Sequence, residues 1–397
     1  MGKIDELIKQ MCPEGVKWVT LGDYCNRLKG TPITAGKMKE IQCNTGDIRV
    51  FAGGKTVVNA YEKDIPNANV IREPAILVQS RGVIDVVYYD NPFTFKNEMW
   101  AYTTSCQCTT KFIYYFLKGV VPELRIKATS MGAFPQISIP DTNNLSIPLP
   151  PLPIQEAIVE ILDKFDRLSA ELQAELQARK TQYEYYRNQL LTRFAPDQQV
   201  KEYSLGELGT FTRGTGLQKS DFVEEGFPCI HYGQVHTFYK TFADKTKSFT
   251  SLDLAKKLKK AKKGDLIIAT TSEDVCACCK ATAWLGDTEV AISGDSYMYS
   301  HSQNPKYMAY LFQTEEFAKQ KSKVATGAKV VRVSGEAMAK FRFMFPSLSE
   351  QARIVSILDK FEALVNDLSQ GLPAEIEAVK EQYEYYRNKL LTFDKIS

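Results

Sequence analysis

QYEYYRNQLLT, from Gln182 to Thr192, returns near the end of the chain as QYEYYRNKLLT, from Gln382 to Thr392. The two copies differ only at Gln189 against Lys389. Upstream of each lies a second matched block, IVEILDKFDRL from Ile158 to Leu168 and IVSILDKFEAL from Ile354 to Leu364. A repeat of this fidelity marks an internal duplication, and it has to be placed before the rest of the chain can be read.

Each copy sits in a long apolar seam. In the first, Ile158, Leu162, Phe165, Leu168, Leu172, Leu176, Tyr183, Tyr186 and Leu190 recur in steps of three and four, broken only by Arg179. That spacing predicts one long helix with a coiled-coil-like face. Roughly 40 residues at 1.5 Å each would span about 60 Å. Pro153 suits its first turn, and Ala195-Pro196-Asp197 ends it. The second seam runs through Ile354, Leu358, Phe361, Leu364 or Val365, Leu368, Leu372, Ile376, Val379, Tyr383, Tyr386 and Leu390. It carries extra residues between its matched blocks, among them Gly371 and Pro373. Because proline inside a helix costs about 3 kcal/mol, a kink or break is expected at 370–373.

Two such seams must be buried, and the simplest partner for each is the other, in antiparallel register. The alternative is that each packs only on its own globule. Between the helices the texture is different: short β-rich runs (WVTLGDY, GDIRVFAGG, PAILVQSRG, IDVVYYD, FPQISIP) punctuated by Gly, Pro and Asn. The expected class is mixed α+β, with an amphipathic helix at Lys3 to Met11 and another near Thr110 to Lys118. The expected order is a first globule over 1–150, a spacer helix over 151–195, a second globule over 196–345 and a second spacer helix over 346–397. Weak matches link the globules in order: TLGDY with SLGEL, Lys29-Gly30-Thr31 with Arg213-Gly214-Thr215, FAGG with HYGQ, PAILVQS with DLIIATT.

A chain of 397 residues with 44% apolar and 24% charged residues is ordinary for a globular protein of more than one domain. No apolar run approaches the roughly 20 residues of a membrane span, and the N-terminal stretch lacks a signal-peptide core, so a cytoplasmic chain without membrane contact is expected. Nine cysteines and three histidines do not form two well-spaced ligand pairs, which favours free thiols over a metal site. A net charge of +3 neither demands nor excludes nucleic acid. The sequence has no GxxxxGK[ST] loop, no G-x-S-x-G elbow and no H-E-x-x-H. Asp90-Asn91-Pro92-Phe93 faintly resembles a methyltransferase N-P-P-F, but it lacks the second proline and a glycine-rich loop before it and reads as a hairpin turn. No catalytic residue is therefore assigned.

The double IV-x-ILDKF and QYEYYRN repeat, the two unlike globules that each open with Leu-Gly and a Lys/Arg-Gly loop, and the opening KIDELI…CPEGV together resemble the specificity subunit of type I restriction-modification systems. The resemblance covers essentially the whole chain. It implies two target recognition domains, each reading one half of a bipartite asymmetric sequence in double-stranded DNA. It also implies two modification (methyltransferase) subunits docked on the repeated helices, and restriction subunits for translocation and cleavage. No cofactor is expected on this chain; S-adenosylmethionine and ATP with Mg would belong to the partners. Heads whose separation matched the helical repeat of about 34 Å would meet one DNA face, so helix length would set the non-specific spacer.

Loops that join glycine to basic or hydroxyl residues are the candidate DNA contacts. In the first domain these are Arg27, Lys29, Thr31, Lys37, Lys39, Lys55, Ser80, Arg81 and the loop Thr129, Ser130, Met131, Gly132. In the second they are Arg213, Thr215, Lys219, Tyr232, Gln234, His236, Ser272, Lys329 and Arg332. The run AKKLKKAKK, Ala255 to Lys263, reads as a short helix polar on nearly every side. Tyr183, Tyr186, Tyr383 and Tyr386 fall on the seams, whereas Tyr185, Arg187, Tyr385 and Arg387 point elsewhere and are candidates for partner docking. Two other readings remain open: a coiled-coil scaffold without DNA, and a single-chain methyltransferase or nuclease with degenerate motifs.

Overall fold

The structure is a computed structural model that describes residues 2–131, 134–196, 198–327, 329–366 and 371–396. It divides into two compact units, Met1–Gln173 with Glu375–Ser397, and Ala174–Ala374. Each unit contains one globular head and a segment of each repeat helix.

In the first unit, strand Lys17–Thr20 pairs antiparallel with Ser146–Leu149 and so brings the two ends of the head together. Between them lies an antiparallel sheet in the order Asn26–Leu28, Trp100–Thr103, Ala75–Gln79, Asp85–Tyr89. Strand Ala75–Gln79 is buried at every residue. Its side chains alternate between two cores. Ile76 and Val78 join the helix Gln107–Lys127, and Ala75 and Leu77 meet Phe51, Phe93 and Phe95 of a second, three-stranded sheet. Double burial explains why AILVQ shows no polar alternation. Residues 90–92 carry the chain from the first sheet to the second, so this bend is not the hairpin turn expected there.

The second unit repeats the plan with more strands. Val200–Ser204 pairs with Arg342–Pro346, and two five-stranded sheets lie between them. Leu266 and Ile268 face the helix Pro305–Leu311, while Ile267 and Ala269 face Ile230, Trp284 and Ile292. Matching these faces shows that two of the sequence alignments are one residue out. Ile76 and Val78 correspond to Leu266 and Ile268, so Ser80 matches Thr270, and Phe51 matches Ile230 rather than His231. A slip of one residue reverses every side chain in a strand, which short apolar runs do not reveal. The Leu-Gly match holds: Leu21–Tyr24 and Leu205–Leu208 are both single-turn helices following the closing strand.

The first repeat helix runs Leu152–Thr192 without interruption. The second is described as two helices, Leu348–Asn366 and Leu372–Leu390, with Pro373 in the first turn of the latter, where its missing N–H is harmless. The expected break falls partly on residues 367–370, outside the described residues. Within each unit the repeat segments pair antiparallel. In the first, the Phe165 ring lies 5.5 Å from Tyr386 and 6.2 Å from Tyr383. In the second, Tyr186 lies 5.7 Å from Phe361, and Gln198 donates to Glu350 at 3.0 Å.

Candidate nucleic-acid interface

Head and helix are joined by the same constellation in both units. Lys111 pairs with Asp163 at 2.8 Å, and the Tyr115 hydroxyl lies between the carboxylates of Asp163 and Asp166. In the second unit Lys306 pairs with Asp359 at 2.7 Å, and the Tyr310 hydroxyl lies 2.7 Å from both Asp359 and Glu362. Burial first, and then the neighbouring carboxylates, push both phenols well above their ordinary range, so both stay protonated donors. The sequence carried this signal in a Lys-x3-Tyr in each head helix and in the preserved Asp of ILDKF, but the repeats alone do not name the partner.

The glycines of the two matched loops have a packing reason. A Cβ on Gly30 would stand 2.3 Å from the Phe95 carbonyl oxygen, and one on Gly214 would stand 2.1 Å from that of Ser293. Only glycine lets these loops pass so close to the second sheet.

Around this frame, the candidate residues divide. In the first head Arg81, Lys39, Gly53 and Gly54 line a cavity of about 570 Å³, joined by Lys96, Glu98 and Phe134, which the sequence reading missed. Lys55 is exposed on the turn beside it. Burial opposes ionisation of Glu98, but hydrogen bonds from Lys96 and from backbone N–H groups hold its carboxyl below the usual range. Arg27 and Lys29 are exposed at the end of an edge strand, and Lys37 is tied to Glu40 at 3.0 Å. Two of the expected contacts are buried in the head. Thr31 is 2% exposed and its hydroxyl meets Thr94 at 2.6 Å; Ser80 is 3% exposed and donates to the Glu98 carbonyl. Small hydroxyl residues beside glycine satisfy the loop's own backbone as readily as a phosphate. Thr129, Ser130 and Met131 form a strand paired with Phe134–Gln136, their side chains lying outside the described residues, as does all of Gly132.

In the second head Arg213, Thr215, Tyr232, His231 and Asp295 line a crevice of about 440 Å³. Lys219 is exposed near it, and His236 places Nε2 3.0 Å from the Thr271 carbonyl. Ser272 accepts from the Asp274 N–H at 3.2 Å, and Lys329 is exposed. Gln234 is half-buried, its side chain donating to Ser248 at 2.6 Å and accepting from the His231 N–H at 3.1 Å. The lysine run is not a helix. The helix Leu252–Ala255 ends where it begins, Lys260–Ala261 is a strand, Leu258 and Ala261 are buried, and Gly264 turns with φ +98°. Lys256, Lys262 and Lys263 face Asp253, Glu289 and Asp287.

Tyr185 and Tyr385 are 57% and 60% exposed on the repeat helices. Arg187 and Arg387, expected to point outward with them, fold back over Tyr183 and Tyr383 at 5.2 and 5.5 Å. Their Nε atoms are buried without a hydrogen-bond partner among the described residues, a cost the ring faces partly offset. All nine cysteines are free thiols. No helix among the described residues is long and apolar enough to cross a membrane.

Two unlike heads, each bearing exposed basic residues, are joined to duplicated helical segments by a matched junction. The sequence model for the type I restriction modification DNA specificity domain matches residues 13–179 and 197–378. The chain belongs to this family, as a specificity subunit with two recognition domains. It is 28% identical to the EcoR124I/EcoR124II specificity subunit of Escherichia coli across all of this chain and 98% of that one. It is 31% identical to a putative type I restriction enzyme specificity subunit of Haemophilus influenzae over 71% of this chain and 72% of that one. The crystal structure of a type I S subunit from M. genitalium has the same fold, with TM-score 0.56 at 18% identity over 95% and 96% of the two chains.

Proposed function

We propose that this chain reads a bipartite, asymmetric DNA sequence, one half with each head, and that the repeat helices set the spacer and dock two modification subunits. Methylation with S-adenosylmethionine, and ATP- and Mg-dependent translocation and cleavage, then belong to modification and restriction subunits in the cytoplasm. The observation that carries this reading is a contrast. The Lys-Tyr-carboxylate junction recurs position for position in both units, with Asp166 replaced by Glu362, while the surfaces the heads present are different. A duplicated frame with unlike edges suits two different half-sites.

Reconstitution with the cognate modification subunit and footprinting on DNA tests it. Two protected segments separated by an indifferent spacer are expected, with no S-adenosylmethionine bound by the lone chain. A single protected segment, or cofactor binding by the lone chain, would overturn the reading. Inserting one helical turn within 169–177 should lengthen the spacer and leave both half-sites unchanged.

A further inference from the structure

The central sheet of each head ends in a loop that is tied to a second hairpin by one matched bridge. In the first head Arg81 bridges to Gln136, and the Ile137 N–H donates to the Ser80 carbonyl at 2.9 Å. In the second, Thr271 pairs with Arg332, and the Val333 N–H donates to the Thr270 carbonyl at 3.3 Å. Arg81 therefore matches Thr271, and Gln136 matches Arg332. Each bridge carries one exposed arginine, but on opposite strands.

We infer that this bridge is the base-reading edge of each head, and that Arg81 and Arg332 each contact a guanine, one in each half-site. The inference rests on the proposed DNA-reading function and deepens it. Reading a base requires a donor pair held in a fixed direction, whereas a phosphate accepts a mobile cation. Arg81 meets that demand. Its carbonyl accepts from the Gly54 N–H at 3.0 Å, the Gly82 N–H is held by Pro135 at 2.9 Å, and its Nε donates to Gln136 Oε1 at 3.2 Å. The terminal guanidinium N–H groups lie outside that bond and match the O6 and N7 acceptors of guanine. Gly54 and Gly82 abut with φ of +73° and +78° and add no side chain of their own beside Arg81, whose cavity is shared with Lys96, Glu98 and Phe134. Arg332 has its main chain held, its N–H donating to the Thr326 carbonyl at 2.8 Å and its carbonyl accepting from the Thr326 N–H at 3.0 Å, and its exposed side chain takes its direction from the bridge alone. Arg213 differs, because its Nε goes to the Gly294 carbonyl and its terminal group faces Asp295 at 4.0 Å.

The test is to sequence the methylated sites made by the complex of this chain with its modification subunit, for wild type and for Arg81→Gln, Arg332→Gln and Gln136→Ala. The wild type should mark a bipartite site with a guanine, or its paired cytosine, in each half. Arg81→Gln should weaken discrimination about ten-fold or more at one position of one half-site, and Arg332→Gln at one position of the other. Gln136→Ala, which removes a positioning residue, should blur the position that Arg81→Gln affects. The untouched half-site is the internal control for folding. Uniformly weaker methylation with every base preference retained and a shallower salt dependence would assign both arginines to phosphates and overturn the inference. Unchanged sites would overturn it as well. A wild-type site without two halves would instead overturn the function proposed above.

Discussion

The first head packs one helix, Gln107–Lys127, on its central sheet, and that helix runs on through Pro122. The second head uses two, Pro305–Leu311 and Glu315–Val324, the latter begun by Thr314 accepting from the Phe317 N–H. The first has sheets of four and three strands, the second two of five. Yet Lys111 and Tyr115 have the same carboxylate partners as Lys306 and Tyr310. What the two halves share includes the contact that orients a head on its helix, the closing strand pair and the glycine loops, and what separates them is the number of strands and helices built on that plan.

That comparison can be broken by acid. The three histidines of the chain, His231, His236 and His301, all lie in the second head. Burial pushes His301 down to about 4, and its Nε2 is buried without a partner among the described residues. The unfolded chain binds a proton there near pH 6.5 and the folded one does not, so stability present above pH 6.5 is lost as pH falls toward 4. The loss should reach about 3 kcal/mol in the second unit, and His301→Asn should remove most of it. Denaturation followed separately in each unit checks this; an equal loss in the first unit would contradict it.

The shared junction gives the next effect. Asp163→Ala and Asp359→Ala each leave a lysine without its partner and a tyrosine hydroxyl with one carboxylate instead of two, and each should cost roughly 1.5–3 kcal/mol by urea denaturation. Similar losses in the two variants would support equivalence; a loss in one alone would break it. Gly30→Ala and Gly214→Ala force a Cβ against backbone oxygens and should cost about 1–3 kcal/mol each. Tyr185→Ala and Tyr385→Ala should change stability by less than about 0.5 kcal/mol while weakening assembly with modification subunits, measured by sedimentation. A lowered melting temperature with intact assembly would favour packing. Smallest of all, charge reversal at Lys259, Lys260 and Lys263 should leave the salt dependence of DNA binding little changed, since Lys263 already faces Asp287 at 2.6 Å.

The helices were legible in the sequence because apolar residues at steps of three and four leave no other reading, and Tyr183 and Phe165 lie where the seam put them. The central strands were found as apolar runs, but not their register. Ile76 and Leu77 are both fully buried, so nothing in the sequence says which faces the helix. Of the candidate contacts, Arg81 and Lys39 line one cavity and Arg213 a crevice, while Thr31, Ser80 and Gln234 satisfy neighbouring backbone and side chains, which a loop sequence does not distinguish. Gln136 and Phe134 went unnoticed because their importance comes from a bridge to a loop far away in sequence.

Exchange of the second head, residues 205–341, for that of another family member tests the central claim most directly. Methylome sequencing of a host carrying the chimera and the modification subunit should show one half-site replaced, with the other half-site and the spacer unchanged. A change in both halves would contradict the account.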